Sequence, residues 1–179
     1  FDVSTFWRFD FSAPAIDNFL MDMQKLSRLR AAMQRAAIDA LFVTNPKNVL
    51  YLTGIAPMME GQIMPFNDPE YIALVQPDRF DVLCDGRYIA EIQNKPGVTA
   101  NLLEAPVSAK VIGDMIKQLL AAGAKTIGYE SDALRHCDGL ALLTHLSSLS
   151  WKPAENLIAE MRVVKSRDEV ELLRKAQAI

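Results

Sequence analysis

Few of the side chains that usually do chemistry stand here in usable patterns. The two histidines, His136 and His145, lack the i, i+4 spacing that sets two imidazoles on one helical face around a metal. Asp78, Asp81 and Asp85 lie close in sequence, but strand alternation and a turn between them send their carboxylates apart. Cys137 follows His136. Neighbours on a helix point about 100° apart, so adjacency alone makes no thiolate–imidazole dyad. No Gly-x-Ser-x-Gly elbow is present. None of the eight glycines are spaced as Gly-x-Gly, and there is no Gly-Lys-Ser/Thr. Gly123-Ala124-Lys125-Thr126 runs from a helix stop into a strand, the reverse of a phosphate loop. The expectation is a chain with no catalytic residue, metal ligand or cofactor of its own.

One segment invites a direct functional role. Residues 55–70 are aperiodic, and Pro57, Pro65 and Pro69 exclude both helix and central strand. The segment is nevertheless apolar, with Ile55, Met58, Met59, Ile63, Met64 and Phe66. Methionine suits an adaptable contact surface. Met58, Met59, Met64 and Phe66 are therefore candidates for a substrate-pocket wall or an interface. The alternative is a loop folded back on its own core. No Lys or Arg occurs between Lys47 and Arg79, which favours an apolar wall over a carboxylate-binding one.

The elements that would position these residues follow from pattern. Asp17 can cap a helix reaching about Ala37, with Phe19, Met23, Leu26, Leu29, Met33 and Ala37 as its apolar stripe. Ala40 to Val43 is an apolar run that reads as a buried strand. Asn45 then caps a short helix opened by Pro46 and stopped by Gly54. Residues 71–76 and 80–84 flank Pro77-Asp78-Arg79 as a hairpin. A helix is predicted over residues 87–95, a strand over 98–103, and a helix capped by Ser108 and ended by Gly123. Next come a strand over 126–129, a helix over about 138–149, a short extended piece near Trp151 and a helix over about 155–164. Ser166-Arg167-Asp168-Glu169 is a capping box. Strands alternating with helices predict one α/β domain, and the hairpin makes its β-sheet mixed, with helices on both faces.

Composition excludes several classes. Half of the 179 residues are apolar and 23% are charged, a globular balance. The net charge of −3 offers no footprint for nucleic acid or anionic lipid. No apolar run approaches the roughly 18 residues of a membrane helix. Residues 1–12 lack the basic region and apolar core of a secretory signal. Cys84 and Cys137 form no Cys-x-x-Cys and are expected as reduced thiols. The expected location is the cytoplasm.

Three stretches together carry a resemblance. They are Asn45-Pro46-Lys47-Asn48-Val49-Leu50-Tyr51-Leu52-Thr53-Gly54, then Asp85-Gly86-Arg87-Tyr88, then Met161-Arg162-Val163-Val164-Lys165-Ser166-Arg167-Asp168-Glu169-Val170 with Leu172, Leu173, Arg174, Lys175 and Ala176 beyond. In this order the chain resembles the amino-terminal domain of the creatinase/prolidase (aminopeptidase P) family. The resemblance implies a non-catalytic domain over residues 17–160, preceded by an aromatic arm over 1–16. Residues 161–179 would then be a connector and the first helix of a missing catalytic domain of the pita-bread fold. It implies a catalytic domain, all beyond Ile179, that either holds a divalent metal pair (Mn, Co or Zn) with two Asp, a His and two Glu or, as in creatinase itself, hydrolyses without metal. The parent would be a metal-dependent peptidase or amidohydrolase such as an Xaa-Pro peptidase. This domain's partners would be its own catalytic domain and, in a homodimer, a second copy. A catalytically dead, histone-chaperone-like peptide-binding module and a creatinase- or lyase-type relative are the alternatives. Capping and turn chemistry give Asn45, Gly54, Asp85, Arg87 and Glu169 structural roles, and the remaining residues of the matching stretches, Asn48, Tyr51, Tyr88, Arg162 and Lys165, are expected to be structural as well.

Overall fold

The computed structural model describes residues 23–55, 66 and 69–177. Its elements run α1 (Met23–Arg35), β1 (Ala40–Val43), α2 (Pro46–Thr53), β2 (Tyr71–Val75), β3 (Phe80–Cys84), α3 (Ile89–Gln93) and β4 (Thr99–Leu102). They continue as α4 (Ala109–Leu119), β5 (Thr126–Tyr129), α5 (His136–His145), β6 (Ser150–Pro153), α6 (Asn156–Val163) and α7 (Arg167–Gln177).

The six strands form one sheet in the order β4-β3-β2-β1-β5-β6. β2 is antiparallel to both its neighbours, Leu41 facing Val75 on one side and Ala73 facing Val82 on the other. The remaining pairings are parallel. The sheet is mixed, as the hairpin required, and β2 is its one reversed strand. The C-terminal ends of the other five strands therefore share one edge.

Strand alternation sorts the core into two layers. Leu41, Val43, Ala73, Val75 and Val82 pack with Leu26, Leu29 and Met33 of α1, Val49 and Leu52 of α2, Ile92 of α3, and Ile158 and Met161 of α6. Ala40, Phe42, Ile72, Leu74 and Leu83 point the other way, onto Ile112 and Ile116 of α4 and Leu142 of α5. Successive Cβ atoms on a strand leave opposite faces, so a wholly buried run such as Ala40–Val43 must be covered on both sides. Gly128 in β5 sits where a Cβ would come 2.9 Å from Ile38 Cδ1, 3.0 Å from Leu41 Cδ1 and 3.1 Å from Ala154 Cβ. A side chain there would collide with the side chains of Ile38, Leu41 and Ala154.

Several predicted boundaries move. Met23 is 61% exposed rather than part of the stripe on α1, and Ala37 lies past the helix end with φ 51°. Asp17 and Phe19 lie outside the described residues. α3 is confined to five residues, and Arg87 and Tyr88 belong to the turn before it. α4 stops at Leu119, where Leu120 turns extended. Gly123, with φ 89°, serves the turn into β5 instead. The extended piece near Trp151 is a full edge strand, pairing Ile127 with Trp151.

A carboxylate also fastens the start of β1 to β5. Asp39 Oδ2 accepts from the Lys125 and Thr126 N–H groups, both at 2.8 Å. Those two backbone donors hold its carboxyl below the usual range. The folded state thus binds its proton less readily than the unfolded chain. The contribution is present above the ordinary carboxylate range and is lost as pH falls through the lowered folded value. Asp39→Ala is expected to cost about 1 kcal/mol at neutral pH, discounted for exposure. In urea denaturation the gap to wild type should close in acid. A gap that stays constant on acidification would refute the carboxylate's role.

Candidate functional site

The shared strand edge is where an α/β sheet places its ligand-binding groups, above all where connections from adjacent parallel strands diverge to opposite faces. β1 and β5 meet that condition, because α2 lies on one face of the sheet and α5 on the other. The chain's own Glu130 is found there.

Glu130 follows β5 directly and is 1% exposed. Its Oε2 accepts from Thr44 N–H at 2.7 Å and Asn45 N–H at 2.6 Å, and its Oε1 accepts from Asn48 Nδ2. The carboxylate therefore sits on the N-terminus of α2, where exposed N–H groups favour negative charge. Burial pushes its carboxyl above the ordinary range, Asp132 adding to the rise, against the pull of Asn48, Asn45 and Thr44. α2 owes its start to local chemistry as well. Asn45 is extended, its side chain accepts from Lys47 N–H at 3.0 Å, and Pro46 opens the helix. Gly54 ends it in the left-handed region at φ 71°, which a Cβ would disfavour.

The network continues outward. Asn48 offers its amide N–H to Glu130 and its Oδ1 to Arg162 Nη1 at 2.9 Å. Three further contacts fasten the segment after α6. Tyr51 donates its hydroxyl to Met161 O at 3.3 Å. Lys25 Nζ, 4.4 Å from the centre of the Tyr51 ring, pairs with Glu169 Oε1 at 3.2 Å. Lys165 folds back onto the Arg162 carbonyl. The capping box forms as predicted. Ser166 N–H donates to Glu169 Oε2 at 2.7 Å, and Glu169 N–H donates to Ser166 Oγ at 3.2 Å. Burial would raise the Glu169 carboxyl, but Ser166 N–H and Lys25 outweigh it and hold it below the usual range. Between α2 and α7 an open groove of about 460 Å³ is walled by Leu50, Tyr51, Leu172, Leu173 and Ala176.

The structure thus joins Asn48 to Arg162 directly, Asn45 to both through Glu130, and Tyr51 to Glu169 through Lys25, while Lys165 folds back on Arg162 and Gly54 only closes α2. Asp85, Arg87 and Tyr88 stand apart, at the end of β3. Asp85 Oδ1 accepts from Arg87 N–H at 2.7 Å and its Oδ2 from Arg87 Nε at 2.8 Å. Tyr88 packs on Tyr71 with ring centres 4.8 Å apart. The three aspartates are scattered: Asp78 is exposed in the turn between β2 and β3, Asp81 is buried against Arg79 at 2.7 Å and Asn101 at 3.2 Å, and Asp85 is engaged by Arg87. Phe66 is 4% exposed and stacks on Phe42 at 6.4 Å, within the core. Met58, Met59 and Met64 lie outside the described residues. Cys84 is buried and Cys137 exposed, both as free thiols. Burial pushes the Cys84 thiol up to about 11. Among the described residues, no three of His, Cys, Asp or Glu form a group that could hold a metal ion. Nor, among them, is any helix long and apolar enough to cross a membrane. Glu130 and Lys25 escaped the sequence reading. The one local sign of Glu130 is an acid directly after an apolar strand.

The family model for the creatinase/prolidase N-terminal domain matches residues 25–164. The chain belongs to this family. The matched span ends at Val164, so it takes in the relay from Glu130 to Arg162. Solved structures similar to this creatinase/prolidase N-terminal domain share its fold. An Xaa-Pro dipeptidase from Bacillus anthracis aligns with TM-score 0.69 and 21% identity over 86% of this chain and 39% of its own. The N-terminal domain of an X-Pro dipeptidase from Streptococcus pyogenes aligns with TM-score 0.61 and 18% identity, over 78% of this chain and all of its own (100%). Among curated proteins, an uncharacterised hydrolase/peptidase of Sinorhizobium fredii is 26% identical over 87% of this chain. An uncharacterised peptidase of Bacillus subtilis is 21% identical over the same share. The chain spans 41% and 40% of the length of these two relatives.

Proposed function

We propose that this creatinase/prolidase N-terminal domain is the non-catalytic part of a metal-dependent peptidase cleaving next to proline. A catalytic region beyond Ile179 supplies the metal pair, and residues 161–179 are the connector leading into it. The domain helps to cover that active site and to assemble a dimer. The observation that carries this reading is the polar network that ties Glu130, Asn48 and Lys25 to Arg162 and Glu169, at the start of residues 161–179. The described residues do not fit a metal, so no step of the reaction is assigned to them. Support for the substrate class comes from the Xaa-Pro peptidases that share the fold.

The test is full-length protein assayed on Xaa-Pro dipeptides and Xaa-Pro-Yaa peptides with Mn²⁺, Co²⁺ or Zn²⁺, against non-proline controls. Proline-dependent turnover that a chelator abolishes is expected, with none from residues 1–179 alone. Peptide binding without turnover under every metal would replace this reading with that of a binding module.

A further inference from the structure

The Glu130–Asn48–Arg162 chain has a polarity that packing alone does not require. Glu130 is a buried acceptor fixed by the Thr44 and Asn45 N–H groups. It forces Asn48 to turn its N–H₂ inward. The amide's only remaining hydrogen-bonding end, its oxygen, then faces outward and accepts from Arg162 Nη1 at 2.9 Å. A side-chain amide has one donor end and one acceptor end, so the charge at the sheet edge dictates what the far end of Asn48 offers the connector. Arg162 lies in the last turn of α6, directly before the bend into α7.

We propose that Glu130 is a positioning residue: through the oriented amide of Asn48 it sets the place of Arg162, and with it the direction in which the connector leaves the domain. The proposal uses the reading above only in taking that connector to lead towards a catalytic region. Substituting one of the three residues should reset the others in a predictable way. In Glu130→Gln, the new amide can still accept from Thr44 and Asn45, but its N–H₂ then faces Asn48. Asn48 must flip to accept from it, which turns its own N–H₂ towards the guanidinium, and the contact with Arg162 is lost. Adding Asn48→Asp restores every link. The introduced glutamine amide donates to the introduced carboxylate, which in turn accepts from Arg162.

The experiment is amide hydrogen exchange of the full-length protein, comparing residues 163–169 with the core strands. Glu130→Gln should accelerate exchange in 163–169 by about tenfold, the loss of one charge-assisted hydrogen bond. The Glu130→Gln/Asn48→Asp pair should return it close to wild type. If Glu130→Gln loosens only the start of α2, or if the folded double variant leaves 163–169 as fast as the single one, the proposal is overturned. Should Glu130→Gln fail to fold, Arg162→Met cuts the same chain from its half-exposed end. It should give the same local acceleration, and unchanged exchange there would equally overturn the proposal. Turnover is read separately on the same samples. If exchange follows the scheme while wild type itself is inactive on Xaa-Pro peptides, the proposed function fails and the relay stands.

Discussion

Glu130→Ala is expected to cost about 4 kcal/mol of stability. The substitution strands three buried donors at once: the Thr44 and Asn45 N–H groups and the Asn48 amide. Each unsatisfied buried group costs about 1–3 kcal/mol, with partial relief from water entering the gap. For a chain of this size that lowers Tm by roughly 8–16 °C, readable by calorimetry or circular dichroism. A loss under about 1 kcal/mol would mean that the carboxylate is a surface group and the clamp is illusory. The pH dependence has a definite sign. Burial raises the folded carboxyl value, so the folded state binds this proton more readily than the unfolded chain. Glu130's contribution to stability therefore falls as pH rises from the ordinary carboxylate range through the raised value. Glu130→Gln should remove that slope, leaving the acid-side losses of the carboxylates held low, Asp39, Asp85, Asp114, Glu155 and Glu169, to dominate.

Phe42→Ala should have an effect of similar size, at about 3–5 kcal/mol. Phe42 is fully buried at the middle of β1, stacked on Phe66 at 6.4 Å and met edge-on by Trp151 at 6.4 Å. Removing the ring opens a cavity between the sheet and the α4–α5 layer, and it takes away the surface on which Phe66 rests. Phe42→Leu keeps most of the volume and should cost less than about 2 kcal/mol. Denaturant midpoints decide the ranking. The chain has two tryptophans, so a Trp7→Phe background leaves Trp151 as the sole reporter, and its emission should shift to the red in Phe42→Ala. An unshifted Trp151 and a midpoint like that of wild type would contradict the packing.

Local chemistry made much of this fold legible. Asn45, Pro46 and Gly54 announce α2, Ser108 announces α4, and Ser166 with Glu169 announces α7, because each cap is satisfied within a few residues of chain. The hairpin of β2 and β3 is legible for the same reason. Boundaries set by tertiary packing were not. α4 ends at Leu119 because Gln76 takes over its last turn, its Nε2 donating to Leu119 O at 2.9 Å and its Oε1 accepting from Ala121 N–H at 2.8 Å. Met23 fits the helical stripe of α1 but faces away from the core. The Glu130 clamp was invisible for a plainer reason. A lone glutamate after a strand has no periodicity, and its donors lie far upstream. The motif residues were visible, but their meeting was not. Asn48 and Arg162 are 114 positions apart, and spacing of that length says nothing about contact.

That distance also bears on the order of assembly. The Thr44 N–H from which Glu130 accepts is 86 residues upstream, and α2, the hairpin, α3, β4 and α4 all lie between β1 and β5 in the chain. The hairpin closes a short loop and can form early. Pairing β1 with β5 carries the entropic cost of a long closure, the kind of contact that slows folding. Until β5 docks, α2 lacks its carboxylate and Asn48 has no fixed orientation to present to Arg162. The link between the sheet and the segment after α6 is therefore expected to form late, with the closing of the sheet.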